Sequence, residues 1–352
     1  MLFEGALAIN EKVRGPEHPK TATILNNLGL LLTDQGDFEG ARPLHDLALA
    51  IREKVLGPEH PDTAQSLNNL ALLLAAQNDA SAARPLFERA LAINEKELGP
   101  EHAKIATTLN NLARMLYVQG DAAGARSHLE RGLIILEKTL GPEHPDTITL
   151  THGIARLLHS QGSLPEARRI FERALAIREK VLGPEHTHTA MSLENLAGVL
   201  QDQGDLRGAR LLYERALAIY EKALGPEHPT SATSVNNLAF FLQAQGDAAG
   251  ARPLYERALA ILEKALGSEH PNTNRAHHNI ARLLMASGNA SEALPHGQIA
   301  LAAHEKVLGQ EHPWTKDSAS VTADALDALG RADEAAALRA SFGLERKAPP
   351  SV

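Results

Sequence analysis

Gly57-Pro58-Glu59-His60-Pro61 opens a stretch that closes at Gly99, and the chain repeats that stretch along its length. The tetrad Gly-Pro-Glu-His begins at Gly15, Gly57, Gly99, Gly141, Gly183 and Gly225. It recurs as Gly-Ser-Glu-His at Gly267 and as Gly-Gln-Glu-His at Gly309. Each start lies 42 residues after the one before, without insertion. A fixed period of this size marks stacked supersecondary units. Length alone would suggest two domains for 352 residues, but the period replaces that prior with one continuous array.

One period can be read from Pro61 to Gly99. Asp62 and Thr63 open a helix beside Pro61, where a missing N–H costs nothing. Leu67, Leu70, Ala71 and Leu74 follow at helical spacing. The run stops at Gln77-Asn78-Asp79. Other periods carry Gly36, Gly120, Gly162, Gly204, Gly246 or Gly288 where this one has Asn78. Those residues suit a left-handed helix terminus. Next comes Asp37, Asp79, Asp121, Ser163, Asp205, Asp247 or Asn289, each a good N-cap. Ala83, Leu86, Ala90, Leu91 and Ile93 give the second helix its apolar side, and Gly99 with Pro100 ends it. The expected unit is a first helix of about 16 residues, a tight turn, a second helix of about 18 and a Gly-Pro-Glu-His-Pro loop. Glu and His of the loop are expected to tie it through backbone contacts. Neither helix buries its apolar stripe alone, so stacked neighbours must supply the core.

Small residues at Ala71, Ala83 and Ala90 allow close helix approach. Together with Leu67-Asn68-Asn69-Leu70-Ala71, Gln35-Gly36-Asp37 and Glu88-Arg89-Ala90-Leu91-Ala92-Ile93, the pattern resembles the tetratricopeptide repeats of kinesin light chains and of bacterial arrays of that kind. The resemblance spans residues 1–342. It implies an all-α, right-handed superhelical solenoid of antiparallel helix pairs. The expected division is a partial repeat over 1–14 with a second helix only and seven full repeats over 15–313. A divergent capping repeat over 314–344 and a polar tail over 345–352, with Lys347-Ala348-Pro349-Pro350, complete it. Because Met1 aligns with Pro43 and Pro85, the chain is expected to be cut from a longer array or to have a mis-assigned start. The bare helix at 1–13 would offer an apolar edge for self-association.

Composition narrows the chemistry. A formal charge of −8, from 35 Lys+Arg against 43 Asp+Glu, argues against nucleic-acid or anionic-membrane partners. With no cysteine there is no disulfide, thiolate nucleophile or Cys-containing zinc site. No apolar run is long enough to span a membrane and no secretory leader is evident, so a cytoplasmic location is expected. Eight of the 17 histidines lie in the loop tetrads, one per repeat, too far apart to share a metal. His277-His278 point in different helical directions. His152 and His159 share a helix face but lack further ligands, so no metal is expected. The chain has no P-loop and no Gly-x-Ser-x-Gly elbow. His304-Glu305-Lys306-Val307-Leu308 lacks the second histidine of a zincin. No catalytic residue, cofactor or enzymatic activity is expected.

Variation then points to the candidate site. The resemblance implies that five first-helix positions per repeat face a concave groove: Gln65, Asn68, Leu72, Ala75 and Ala76 in one period. One period on, these are Thr107, Asn110, Arg114, Tyr117 and Val118, then Thr149, His152, Arg156, His159 and Ser160. Framework positions recur while these differ, as recognition requires. The resemblance implies that Asn26, Asn68, Asn110 and Asn236 hold a peptide backbone, while Asn69 and Asn111 contact the adjacent helix. Arg114, Arg156, Tyr117, His152 and His159 supply guanidinium forks and rings. His278 and Arg282 occupy the same face further along, and Glu194 with Asp202 makes one repeat acidic. The reading is a non-catalytic scaffold that binds an extended peptide or protein, with acidic residues, in this groove. The alternative is the C-terminal sensor array of a larger signalling NTPase or effector enzyme.

Overall fold

The structure, a computed structural model, describes residues 2–345. Among them there are 17 helices. A helix α1 (Leu2–Arg14) precedes eight helix pairs. The first four are α2 (Pro19–Asp34) with α3 (Phe38–Val55), α4 (Pro61–Ala76) with α5 (Ala80–Leu98), α6 (Ala103–Val118) with α7 (Ala122–Thr139), and α8 (Pro145–Ser160) with α9 (Leu164–Val181). The others are α10 (Thr187–Asp202) with α11 (Leu206–Leu224), α12 (Pro229–Ala244) with α13 (Ala248–Leu266), α14 (Pro271–Ala286) with α15 (Ala290–Leu308), and α16 (Pro313–Ala328) with α17 (Ala332–Ser341). This is an all-α solenoid. It divides into two compact units, Met1–Pro184 and Glu185–Val352. The tail motif Lys347–Pro350 lies outside the described residues.

Helix ends follow the local chemistry. First helices begin at the proline itself, one or two residues earlier than Asp62 and Thr63 suggested, because the loop histidine is the N-cap. His60 Nδ1 accepts the N–H of Asp62 at 3.0 Å, and His144 Nδ1 that of Asp146 at 3.2 Å. This satisfies one orphan donor of each helix. Thr63 Oγ1 then donates to Gly57 O at 2.8 Å, closing the loop on itself. The loop glutamate does something else. It reaches a lysine 37 residues on, at the end of the second helix, as in Glu17–Lys54 (2.6 Å) and Glu143–Lys180 (2.8 Å). The expectation of backbone contacts therefore holds for the histidine and fails for the glutamate. Its carboxylate is a strong acceptor, and the lysine is the cation within its reach.

The turn between paired helices needs a positive φ, which Gly120 (82°) and Asn78 (62°) both supply. Asp79 then caps α5, accepting from the Ala82 N–H at 3.0 Å. Ser163 and Asn289 occupy the same place without a side-chain cap bond.

Core packing alternates alanine with larger apolar residues. Ala64, Leu67, Ala90 and Ile93 form one cluster between α4 and α5, with Leu49 and Leu86 against it. Ile105, Leu109 and Ile135 form the next. In the second unit Leu301, Ala319 and Phe342 close the α15–α17 end. Each fully buried Leu or Ile adds about 1.5–3 kcal/mol, and the alanines let backbones approach.

Candidate recognition face

The first helices α4, α6 and α8 share a depression of about 300 Å3. Leu72, Ala75 and Ala76 of α4 form its apolar side. Asn110, Arg114 and Tyr117 of α6 and Arg156 of α8 form its polar side. These four are the site residues of the first unit that the fold brings together. Tyr117 is exposed, and Arg114 and Arg156 reach solvent. The surrounding protein still desolvates Arg114, which together with the charge of Arg156 lowers its pKa. Neither arginine makes an ion pair among the described residues. Second-helix arginines differ: Arg84, Arg126 and Arg168 each bond a glutamate one turn on, at 2.7–2.8 Å.

The other predicted residues of this unit lie elsewhere. Asn26 and Asn68 are buried. Asn26 Nδ2 donates to Ser66 Oγ at 2.8 Å, and its Oδ1 faces His45 Nδ1 at 3.0 Å. Asn68 Oδ1 accepts from Asn111 Nδ2 at 3.1 Å. These amides join one first helix to the next; Asn110 alone of the four lines a depression with no such bond. Asn111 contacts the adjacent helix, as expected. His152 is buried against Phe171, rings edge-on with centroids 5.2 Å apart. Burial first, then Arg178 and Arg156, lowers its pKa to about 3, so it stays neutral at pH 7. His159 is half-buried and does not line the depression.

In the second unit Asn236, His278 and Arg282 do come together, around a space of about 360 Å3. Asn236 Oδ1 accepts from Asn279 Nδ2 at 3.1 Å, the same inter-repeat bond. His278 is held by Ser318 Oγ and Asp317, each at 3.0 Å. Trp314 and Asp317 of α16 line this space too and escaped the sequence reading. The one tryptophan of the chain, directly after a loop tetrad, was the available signal. Glu194 accepts from Ser234 at 2.7 Å and Asn237 at 3.2 Å, and burial raises its pKa. Among the described residues no group of three His, Asp or Glu is placed to hold a metal. No helix there is long and apolar enough to cross a membrane.

Stacked helix pairs with a varied first-helix face define a repeat protein of the recognition type. The chain belongs to the tetratricopeptide repeat family, in its kinesin-light-chain-like form. The family model matches residues 1–44, 21–96, 82–133, 104–180, 151–222, 188–237, 229–296 and 272–338. A kinesin-light-chain candidate of Podosopora anserina, with nearly identical TPR-like repeats, is 34% identical over 58% of this chain and 98% of its own, with a TM-score of 0.47. BtubC (BKLC) of P. vanneervenii is 20% identical over 78% of this chain and 94% of its own, at a TM-score of 0.48. Aspartyl phosphate phosphatase F of Bacillus subtilis shares the fold, at 14% identity and a TM-score of 0.56 over 88% of this chain and 79% of its own. No curated protein matches the sequence significantly. Repeats of this family serve as protein–protein interaction scaffolds.

Proposed function

We propose that the α4–α6–α8 face of the first unit binds an extended, acidic peptide segment of a protein partner. The observation that carries this is the pair Arg114 and Arg156, two guanidinium groups with no carboxylate partner in one depression. Holding like charges together is unfavourable unless an anion completes the site. A peptide carboxylate would take both forks, with Asn110 on the backbone and Tyr117 against an apolar or ring side chain. The apolar side at Leu72, Ala75 and Ala76 would seat the residues between acidic ones. Rigid helices hold these groups in place, so little ordering cost falls on the protein.

The test is fluorescence anisotropy with an Asp/Glu-rich peptide and its Lys-substituted counterpart. The protein should bind the first and not the second, more weakly as salt rises. The double variant R114Q/R156Q should lose about tenfold or more in affinity, near 1.4 kcal/mol. Both side chains reach solvent, so its melting temperature should barely move. Equal affinity of parent and variant would place recognition elsewhere.

A further inference from the structure

The repeat formed by α8 and α9 breaks the rules that its neighbours keep. Ala64, Ala106, Ala190 and Ala232 sit fully buried where a first helix meets its partner, and this repeat has Ile148 there. Leu67, Leu109 and Leu193 fill the core one turn further on, and this repeat has Thr151. A wedge at one position and a lost leucine at the next do not compensate, because volume is added and removed in different places. Accordingly α8 and α9 pack less closely than the helices of any other full-length pair. A cavity of about 300 Å3 opens between them and α7. Ile148, Thr151 and Ile154 of α8 and Ile170, Ala174 and Ile177 of α9 line it. Thr151 Oγ1 already donates to Thr147 O at 2.9 Å, so the wall needs no polar ligand. None of the α8 positions on the recognition face takes part.

The mouth is charged. Successive second helices are joined elsewhere by an Arg–Glu bridge: Arg89–Glu53 at 2.8 Å, Arg131–Glu95, and Arg257–Glu221 at 2.6 Å. The equivalent pair here is Arg173 and Glu137. Both line the cavity, and they are not bridged among the described residues. Arg169 lies beside them.

We propose that this cavity is a binding site for a small molecule with an apolar chain ending in a carboxylate. The chain fills the space that the missing leucine leaves, and the carboxylate meets Arg173 and Arg169. The volume is at the lower end of small-molecule sites, which span roughly 300–1,000 Å3. Glu137 at the same mouth disfavours a second negative charge and accommodates an ammonium group beside the carboxylate. Two sources share this chemistry, a medium-chain fatty acid and a free apolar amino acid.

Thermal-shift and calorimetric titrations of the full chain with octanoate, L-leucine and L-phenylalanine test this, with 1-octanol as the uncharged control. A saturable response to octanoate alone identifies a fatty acid as the source. A response to the amino acids alone identifies the zwitterion, and then Glu137→Gln weakens it. Thr151→Leu restores the residue of the other repeats, so it should fold at least as well as the parent and lose binding. Arg173→Gln should weaken binding about tenfold. No response to any carboxylate, binding by Thr151→Leu equal to that of the parent, or octanol binding as well as octanoate would overturn the proposal.

Discussion

His152 shows how one residue can be committed by its surroundings. Other repeats place Asn68, Asn110 or Asn236 at this point, and here an imidazole ring packs on Phe171. Its pKa falls to about 3, from 6.5, because burial and then Arg178 and Arg156 disfavour the cation. The unfolded chain therefore binds a proton here at a higher pH than the folded one. Stability is fully present above about pH 6.5 and is lost as pH falls from there toward 3. His304, lowered to about 4 by burial, His278 and His312, acts in the same direction. Urea midpoints should drop between pH 7 and 4.5, and His152→Asn should remove part of that drop, on the order of 1–3 kcal/mol. An identical drop in the variant would show that His152 is not held neutral. The asparagines make the complementary point. Asn68 and Asn111 satisfy each other between first helices, and losing one member of such a buried pair costs about 1–3 kcal/mol. That cost ties them to the framework.

At the scale of the element, each helix pair is assembled from caps and one left-handed turn. Most repeats use glycine in that turn; the α4–α5 pair uses Asn78 at φ 62°. Asparagine tolerates this region better than other residues with a Cβ but worse than glycine. Asn78→Gly should therefore leave stability unchanged or raise it by up to about 1 kcal/mol, whereas Asn78→Ala should lower it by about 1 kcal/mol. Denaturant midpoints that rank alanine above asparagine would contradict the turn geometry. The exposed Glu–Lys ties between loop and second helix are worth little singly, roughly 0–1 kcal/mol each. Their regularity reflects the fixed spacing between two ends of one unit.

Within each unit contacts run mainly between neighbouring helices, so stability there is a sum of local terms. Phe87 is completely buried in α5. Phe87→Ala should cost about 3–5 kcal/mol at that point. Hydrogen exchange should then quicken most in α4, α5 and α6, and least in α9 of the same unit. Uniform loss of protection from α2 to α9 would mean that the first unit opens all at once. Framework and proposed recognition face also separate at this scale. Period, caps and alanine contacts recur in nearly every repeat, while Arg114, Tyr117 and Arg156 belong to two of them.

The sequence by itself determined the period, the helix pairs, the turn glycines with Asn78, and the N-caps at Asp37 and Asp79. These depend on interactions within a few residues, and eightfold repetition made them unmistakable. It also selected the face on which Asn110, Arg114, Tyr117 and Arg156 meet. Only the tertiary structure decided which polar residues of that face are held by partners from other helices. Asn26, Asn68 and Asn236 share the spacing of Asn110, yet a partner 19 to 43 residues away absorbs them. Ile148 and Thr151 read as ordinary helix residues until the gap beside α9 gives them a consequence. Arg173 and Glu137 keep the spacing of the bridged pairs but stand apart. Side-chain volume and long-range pairing act across helices, and no local pattern records them.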